Sequence, residues 1–128
     1  MYIESWLPGP DRLLFYTRTY KASSPKAILL FVHGFADHVS RYGEVHFRFV
    51  TRGVTVFAYD LRGFGRTALD PSQAGAGISY GKTSRALELE DVEWWVHYLA
   101  KEYPGLPLFL MGYSAVRRSL TDPVVEDD

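Results

Sequence analysis

The chain has 128 residues, room for one domain with a core of ordinary size. It is 47% hydrophobic and 23% charged, which excludes wholesale disorder; its formal charge of -1 excludes the cationic excess of a nucleic-acid binder. It has no cysteine, and therefore no disulfide, thiolate nucleophile or cysteine-ligated zinc.

The opening MYIESWLPGPDR has neither a basic start nor an apolar core, so no secretory signal is expected. No apolar run approaches the ~20 residues of a spanning helix, and a soluble intracellular protein is the expectation. Tyr2–Leu7 and Leu13–Tyr20 are rich in strand formers and flank the turn Pro8-Gly9-Pro10-Asp11, which predicts an antiparallel hairpin. Beyond the break at Ser23-Ser24-Pro25, Ala27–Val32 is continuously apolar, as in a parallel strand buried on both faces, and His33-Gly34 ends it. Ser40 is predicted to cap a helix that carries Tyr42, Val45, Phe49 and Val50 on one face and stops at Gly53. Val54–Tyr59 reads as a second buried strand closed by Asp60. Leu61–Lys82, with its glycines and small residues, reads as loop.

Thr83 or Ser84 is predicted to open the longest helix. Val92, Trp95, Val96, Leu99 and Tyr103 form its apolar stripe, and Pro104-Gly105 ends it. Leu108–Met111 follows as a third buried strand. The alternation predicts an α/β fold: an antiparallel hairpin followed by parallel strands with flanking helices and right-handed crossovers.

In such sheets chemistry gathers at the carboxyl ends of the parallel strands, here His33-Gly34-Phe35, Asp60-Leu61-Arg62-Gly63 and Gly112-Tyr113-Ser114. A nucleophile elbow needs small residues around its serine so that the backbone can pass closely. Gly112 meets that need, but Val116 stands where a second glycine belongs. Taken alone, Gly-x-Ser also fits an ordinary turn. Ala76–Thr83 matches a relaxed phosphate-loop pattern, yet Asp70–Gly75 before it is no central strand. A nucleotide-binding domain is therefore the less favoured alternative.

The three strand ends together resemble one family. His33-Gly34-Phe35-Ala36-Asp37-His38-Val39-Ser40-Arg41-Tyr42 resembles the HG-x-x-x-H-x-x-R-Y segment of monoacylglycerol lipases and related serine hydrolases of the α/β-hydrolase fold (serine aminopeptidase S33 and lysophospholipase type). Asp60-Leu61-Arg62-Gly63-Phe64-Gly65-Arg66-Thr67 resembles their D-x-R-G-x-G-x-S turn, and Leu108–Ser114 their strand into the elbow. The resemblance implies that Ser114 is the acyl-accepting nucleophile and that the N–H groups of Phe35 and Ala115 form the oxyanion hole. It gives His33, Gly34 and Asp60 turn-shaping roles and calls for no cofactor and no metal. It implies a small lipid ester as substrate, no nucleic-acid partner, and a cytoplasmic location with membrane or lipid-droplet association as a variant.

The triad of this fold runs nucleophile, acid, histidine along the chain, and the four histidines here, His33, His38, His46 and His97, all precede Ser114. Residues 1–115 are thus expected to be the amino-terminal part of an α/β-hydrolase domain, with the carboxy-terminal strands and cap missing. Residues 116–128 are expected to be a disordered tail outside the family pattern. The expectation is a hydrolase by family whose chain is inactive as it stands. The alternative is a non-catalytic truncated product or interaction module.

Overall fold

The structure is a computed structural model and describes residues 1–34, 36–70, 72 and 80–112. Strands β1 (Ile3–Pro8) and β2 (Leu14–Tyr20) form the predicted antiparallel hairpin, in register from Ile3 opposite Thr19 to Pro8 opposite Leu14. A short 3-10 turn, Pro10–Arg12, joins them. Strands β3 (Ala27–Val32), β4 (Val54–Tyr59) and β5 (Leu108–Gly112) run parallel, and β2 joins them antiparallel to β4. The sheet order is β1-β2-β4-β3-β5.

Helix α1 (Gly43–Val50) connects β3 to β4; α2 (Gly65–Leu69) and α3 (Arg85–Glu102) lie between β4 and β5. The two crossovers step along the sheet in opposite directions, so right-handedness sends α1 and α3 to opposite faces. The core divides accordingly. Ile28, Leu30 and Val32 of β3 pack with Phe57, Tyr59 and Phe15 under Val92, Trp95 and Leu99 of α3. Leu29 and Phe31 pack with Val56, Ala58, Tyr16 and Tyr20 on the other face, under Tyr42, Phe49 and Val50. This period-two division is why all six β3 residues are apolar and buried. Trp95 anchors the α3 side, its ring 5.7 Å from Phe15, 5.3 Å from Phe57 and 5.5 Å from Tyr59. Truncating such a residue to alanine costs about 3–5 kcal/mol.

Four local expectations are corrected. Ser40 does not cap α1: it lies inside a 3-10 turn, Val39–Tyr42, and the helix opens at Gly43 without a side-chain cap. The buried residue of α1 is His46, while Val45 is exposed. Part of the predicted loop after Leu61 is helical, because the Asp60 carboxylate accepts the Arg66 N–H at the start of α2. Finally, β5 has the predicted type and direction but not the predicted burial. Among the described residues it pairs with β3 alone, leaving Phe109 58% and Leu110 41% exposed. Two further expectations are met: Ser84 caps α3, its Oγ accepting from the Leu87 N–H at 3.2 Å, and Gly53 follows α1 with φ +83°. No helix of the described residues is long and apolar enough to cross a membrane.

Candidate active site

The three parallel strands end at one level, for Val32 of β3 lies opposite both Tyr59 of β4 and Gly112 of β5. Hence the carboxyl ends of the three strands, at Val32, Tyr59 and Gly112, stand side by side. Ser114, Phe35 and Ala115, the predicted nucleophile and oxyanion-hole residues, lie outside the described residues, as do residues 76–79 of the Ala76–Thr83 stretch. What the structure does describe is the framework on either side of them.

His33 is fully buried and stitches the β3 end to the β4 end. Its Nε2 accepts the Leu61 N–H at 2.9 Å, which leaves the proton on Nδ1, where it is donated to the Gly34 carbonyl at 2.7 Å. Burial lowers its pKa, against the Gly34 bond and the nearby Asp60 and Asp37 carboxylates, which act to raise it. With both nitrogens engaged, this imidazole has no lone pair for a metal and no site for a substrate proton.

Asp60 performs the complementary task and is also buried. One carboxylate oxygen accepts the Val39 N–H at 2.7 Å and the other the Arg66 N–H at 2.8 Å. A single side chain therefore holds the far end of the loop containing Phe35 against the start of α2. Thr67 extends the clamp: its hydroxyl donates to the Asp60 carbonyl at 2.7 Å and accepts the Tyr16 N–H at 3.0 Å. Gly65 has φ +53°, and a Cβ there would stand 2.4 Å from the Asp60 carboxylate, so the clamp needs glycine at that position.

The loop after Gly34 carries backbone strain. Ala36 adopts φ +60°, a left-handed conformation costing a non-glycine residue roughly 1–2 kcal/mol. Strain of this kind gathers where backbone groups must be aimed. Asp37 holds the strained turn. It accepts from the His38 N–H and the Tyr42 hydroxyl and pairs with Arg41 at 3.2 Å, while the Asp37 N–H donates to the Gly34 carbonyl. Burial would raise its pKa, but the bonds from Tyr42 and His38 outweigh this and lower it. Beside the loop opens a cavity of about 560 Å³ whose lining includes His38, Ser40, Asp60, Arg66 and Leu69. His38 Nδ1 lies 2.8 Å from Ser40 Oγ, at the exposed rim.

Two framework residues were not legible as a pair in the sequence. Arg62, in the β4 turn, makes a bidentate ion pair with Asp91 of α3, at 2.9 and 2.6 Å, with Asp91 fully buried. Hydrogen bonds to Asp91 raise the Arg62 pKa and keep it charged. The signal was a carboxylate four residues before Trp95, on the buried side of the helix. The turn is closed further by the Gly81 N–H donating to the Gly63 carbonyl at 2.6 Å.

Residues 23–115 match the family model described as serine aminopeptidase, S33. The chain belongs to the serine aminopeptidase S33 family. Among relatives of this S33 chain, the monoacylglycerol lipase of Mycolicibacterium smegmatis is 32% identical over 92 residues, 72% of this chain and 30% of the relative. The human monoglyceride lipase is 30% identical over 109 residues, 84% of this chain and 33% of the relative. A thermostable carboxyl esterase from Bacillus coagulans superposes with TM-score 0.72 at 27% identity, over 88% of this chain and 36% of the esterase. A monoglyceride lipase from Saccharomyces cerevisiae superposes at 0.75 and 23% identity, again over 36% of that chain, which supports the fold. The sheet is thus that of an α/β hydrolase, and this S33 chain spans about a third of the length of the relatives it matches.

Proposed function

We propose that this fold serves a serine ester hydrolase acting on monoacylglycerol or a similar lipid ester, with Ser114 as nucleophile and the N–H groups of Phe35 and Ala115 as oxyanion hole. The supporting observation is the common level of the β3 and β5 ends, Val32 opposite Gly112, on the adjacent strands that precede these residues in the chain. In the reaction, Ser114 Oγ attacks the ester carbonyl as a general base takes its proton. The alcohol then leaves with a proton, and water hydrolyses the acyl-enzyme to free acid and serine.

All four histidines precede Ser114, against the nucleophile, acid, histidine order of the fold, and none of them is proposed as that base. Both nitrogens of His33 are engaged, His46 is buried on the inner face of α1, His38 Nδ1 bonds Ser40, and His97 Nδ1 bonds the Glu93 carbonyl on α3. The 128-residue chain is therefore expected to be inactive on esters, with residues 116–128 a tail outside the hydrolase domain.

A chimera tests both statements: residues 1–115 joined to the matching carboxy-terminal part of the Mycolicibacterium smegmatis monoacylglycerol lipase. The expected result is monoacylglycerol hydrolysis by the chimera, reduced by at least about 10³-fold on Ser114→Ala, and none by the 128-residue chain. A folded chimera that is inactive, or whose activity survives Ser114→Ala, overturns the nucleophile assignment. Ser114-dependent turnover by the chain alone overturns the second statement.

A further inference from the structure

Helix α3 carries a second stripe beside its buried one. Trp94, Tyr98 and Lys101 recur at i, i+4 and i+7, with His97 between them. Trp94 is 43% exposed, a large apolar surface left toward solvent. Tyr98 lies flanking the core, its ring 5.7 Å from Phe57 and 5.5 Å from Trp95. Across from the stripe, Leu7 and Pro8 at the end of β1 form a second wall, and between the walls runs a groove of about 670 Å³. That volume is in the range of small-molecule sites. None of its lining residues belongs to the three strand ends or to the loops that leave them.

The chemistry of the walls narrows the occupant. Leu7, Pro8, Trp94 and the Tyr98 ring present mainly carbon; the titratable groups among the lining residues are the Tyr98 hydroxyl, His97 and Lys101, and of these Lys101 is the cation. No carboxylate lines the groove to neutralise Lys101. Lys101 stands two helical turns beyond Trp94, about 10 Å along the axis, so one end is apolar and the other cationic. A peptide laid here would bury backbone N–H and C=O groups against carbon, and Pro8 has no N–H to offer in return. A neutral amphiphile would gain no charge pairing from the exposed ammonium, and a cationic one would be repelled by it. An alkyl chain ending in a carboxylate satisfies both ends.

We infer that the groove between β1 and α3 is a binding site for a single-chain fatty carboxylate, with the alkyl chain against Trp94 and Tyr98 and the head group on Lys101. The inference does not depend on the proposed hydrolase activity, since no residue is shared between the two.

The test is titration of the full chain with octanoate, decanoate and laurate, each below its aggregation concentration, followed by tryptophan fluorescence. Saturable changes are expected, with affinity rising about fourfold per added methylene. Lys101→Gln is expected to weaken the carboxylates by about tenfold, in keeping with loss of a charge-assisted bond, while decanol binding stays as it was. Trp94→Ala is expected to weaken all ligands, and Ser114→Ala none; circular dichroism verifies that each variant is folded. The inference is overturned if no ligand gives a saturable change. It is equally overturned if decanol or decyltrimethylammonium binds as tightly as decanoate, or if folded Trp94→Ala binds unchanged. Response to anionic phosphatidylserine vesicles without response to monomeric laurate also overturns it, by making the patch a membrane contact.

Discussion

His46 shows how much one residue's surroundings can hide from sequence reading. It is fully buried among Tyr20, Phe31 and Tyr42, with ring centroids 5.0, 4.7 and 6.2 Å away, and neither ring nitrogen has a hydrogen-bond partner. Burial, and then the charge of Arg18, lower its pKa to about 4. The folded state therefore favours the neutral ring, while the unfolded chain binds a proton near the ordinary value. Stability from this site is complete above the unfolded pKa and is lost as pH falls toward about 4, by about 3 kcal/mol in all. His46→Phe keeps an aromatic in the cage and removes the titration. Denaturant unfolding at neutral and acidic pH is expected to show the variant gaining on the parent by about that amount as the solution is acidified. Parallel stability curves would contradict it. A histidine in an apolar pattern gives no hint of such a cage, which arises only once β2, β3 and α1 meet.

Among the elements, those whose neighbours flank them on both sides were legible and those on the boundary were not. The β3 run is apolar throughout because each of its faces meets a different helix, and six consecutive residues record that fact. Helix α2 could not be read, because its start is fixed by the Asp60 carboxylate rather than by its own five residues. For α3 the apolar stripe was visible, but nothing in it singled out Asp91 as buried. Its pairing with Arg62 ties the β4 turn to the helix. Asp91→Ala strands a buried guanidinium and is expected to cost about 3–5 kcal/mol, whereas Arg62→Met with Asp91→Leu together should restore much of the loss. Thermal unfolding of the single and double variants checks this, and a double variant as unstable as the single would refute it. Strand β5 reads correctly as parallel, yet among the described residues its exposed Phe109 and Leu110 sit on a sheet edge, a template for pairing with another chain. The chain is expected to self-associate in size-exclusion chromatography, and Phe109→Lys to shift it toward monomer. A clean monomer before substitution would count against this.

At the scale of the molecule, the sequence placed the three motifs in order but could not bring them to one height. Glycine, histidine and serine residues mark where strands stop, and nothing in their identity says how far one strand is slid along another. That sliding is set by Leu29 opposite Val56 and Phe109, and by the Ile28 N–H donating to the Pro107 carbonyl at 2.9 Å where β5 begins. The pairing acts as a vernier with a step of about 3.3 Å, and each single step also turns every later side chain to the opposite face. Tolerance to inserted residues should therefore be uneven along a few positions of chain. One alanine added beside Gly105, in the exposed turn with φ +87° and nothing within 4 Å of its Cβ position, is absorbed before the first β5 bond. One alanine added between Leu110 and Met111 displaces Gly112, and with it whatever the strand delivers, by a full step and half a rotation. Placed in the chimera described above, the first insertion is expected to leave ester hydrolysis near the parent value and the second to abolish it. Equal activity in both would mean that the height of the strand ends does not govern the chemistry.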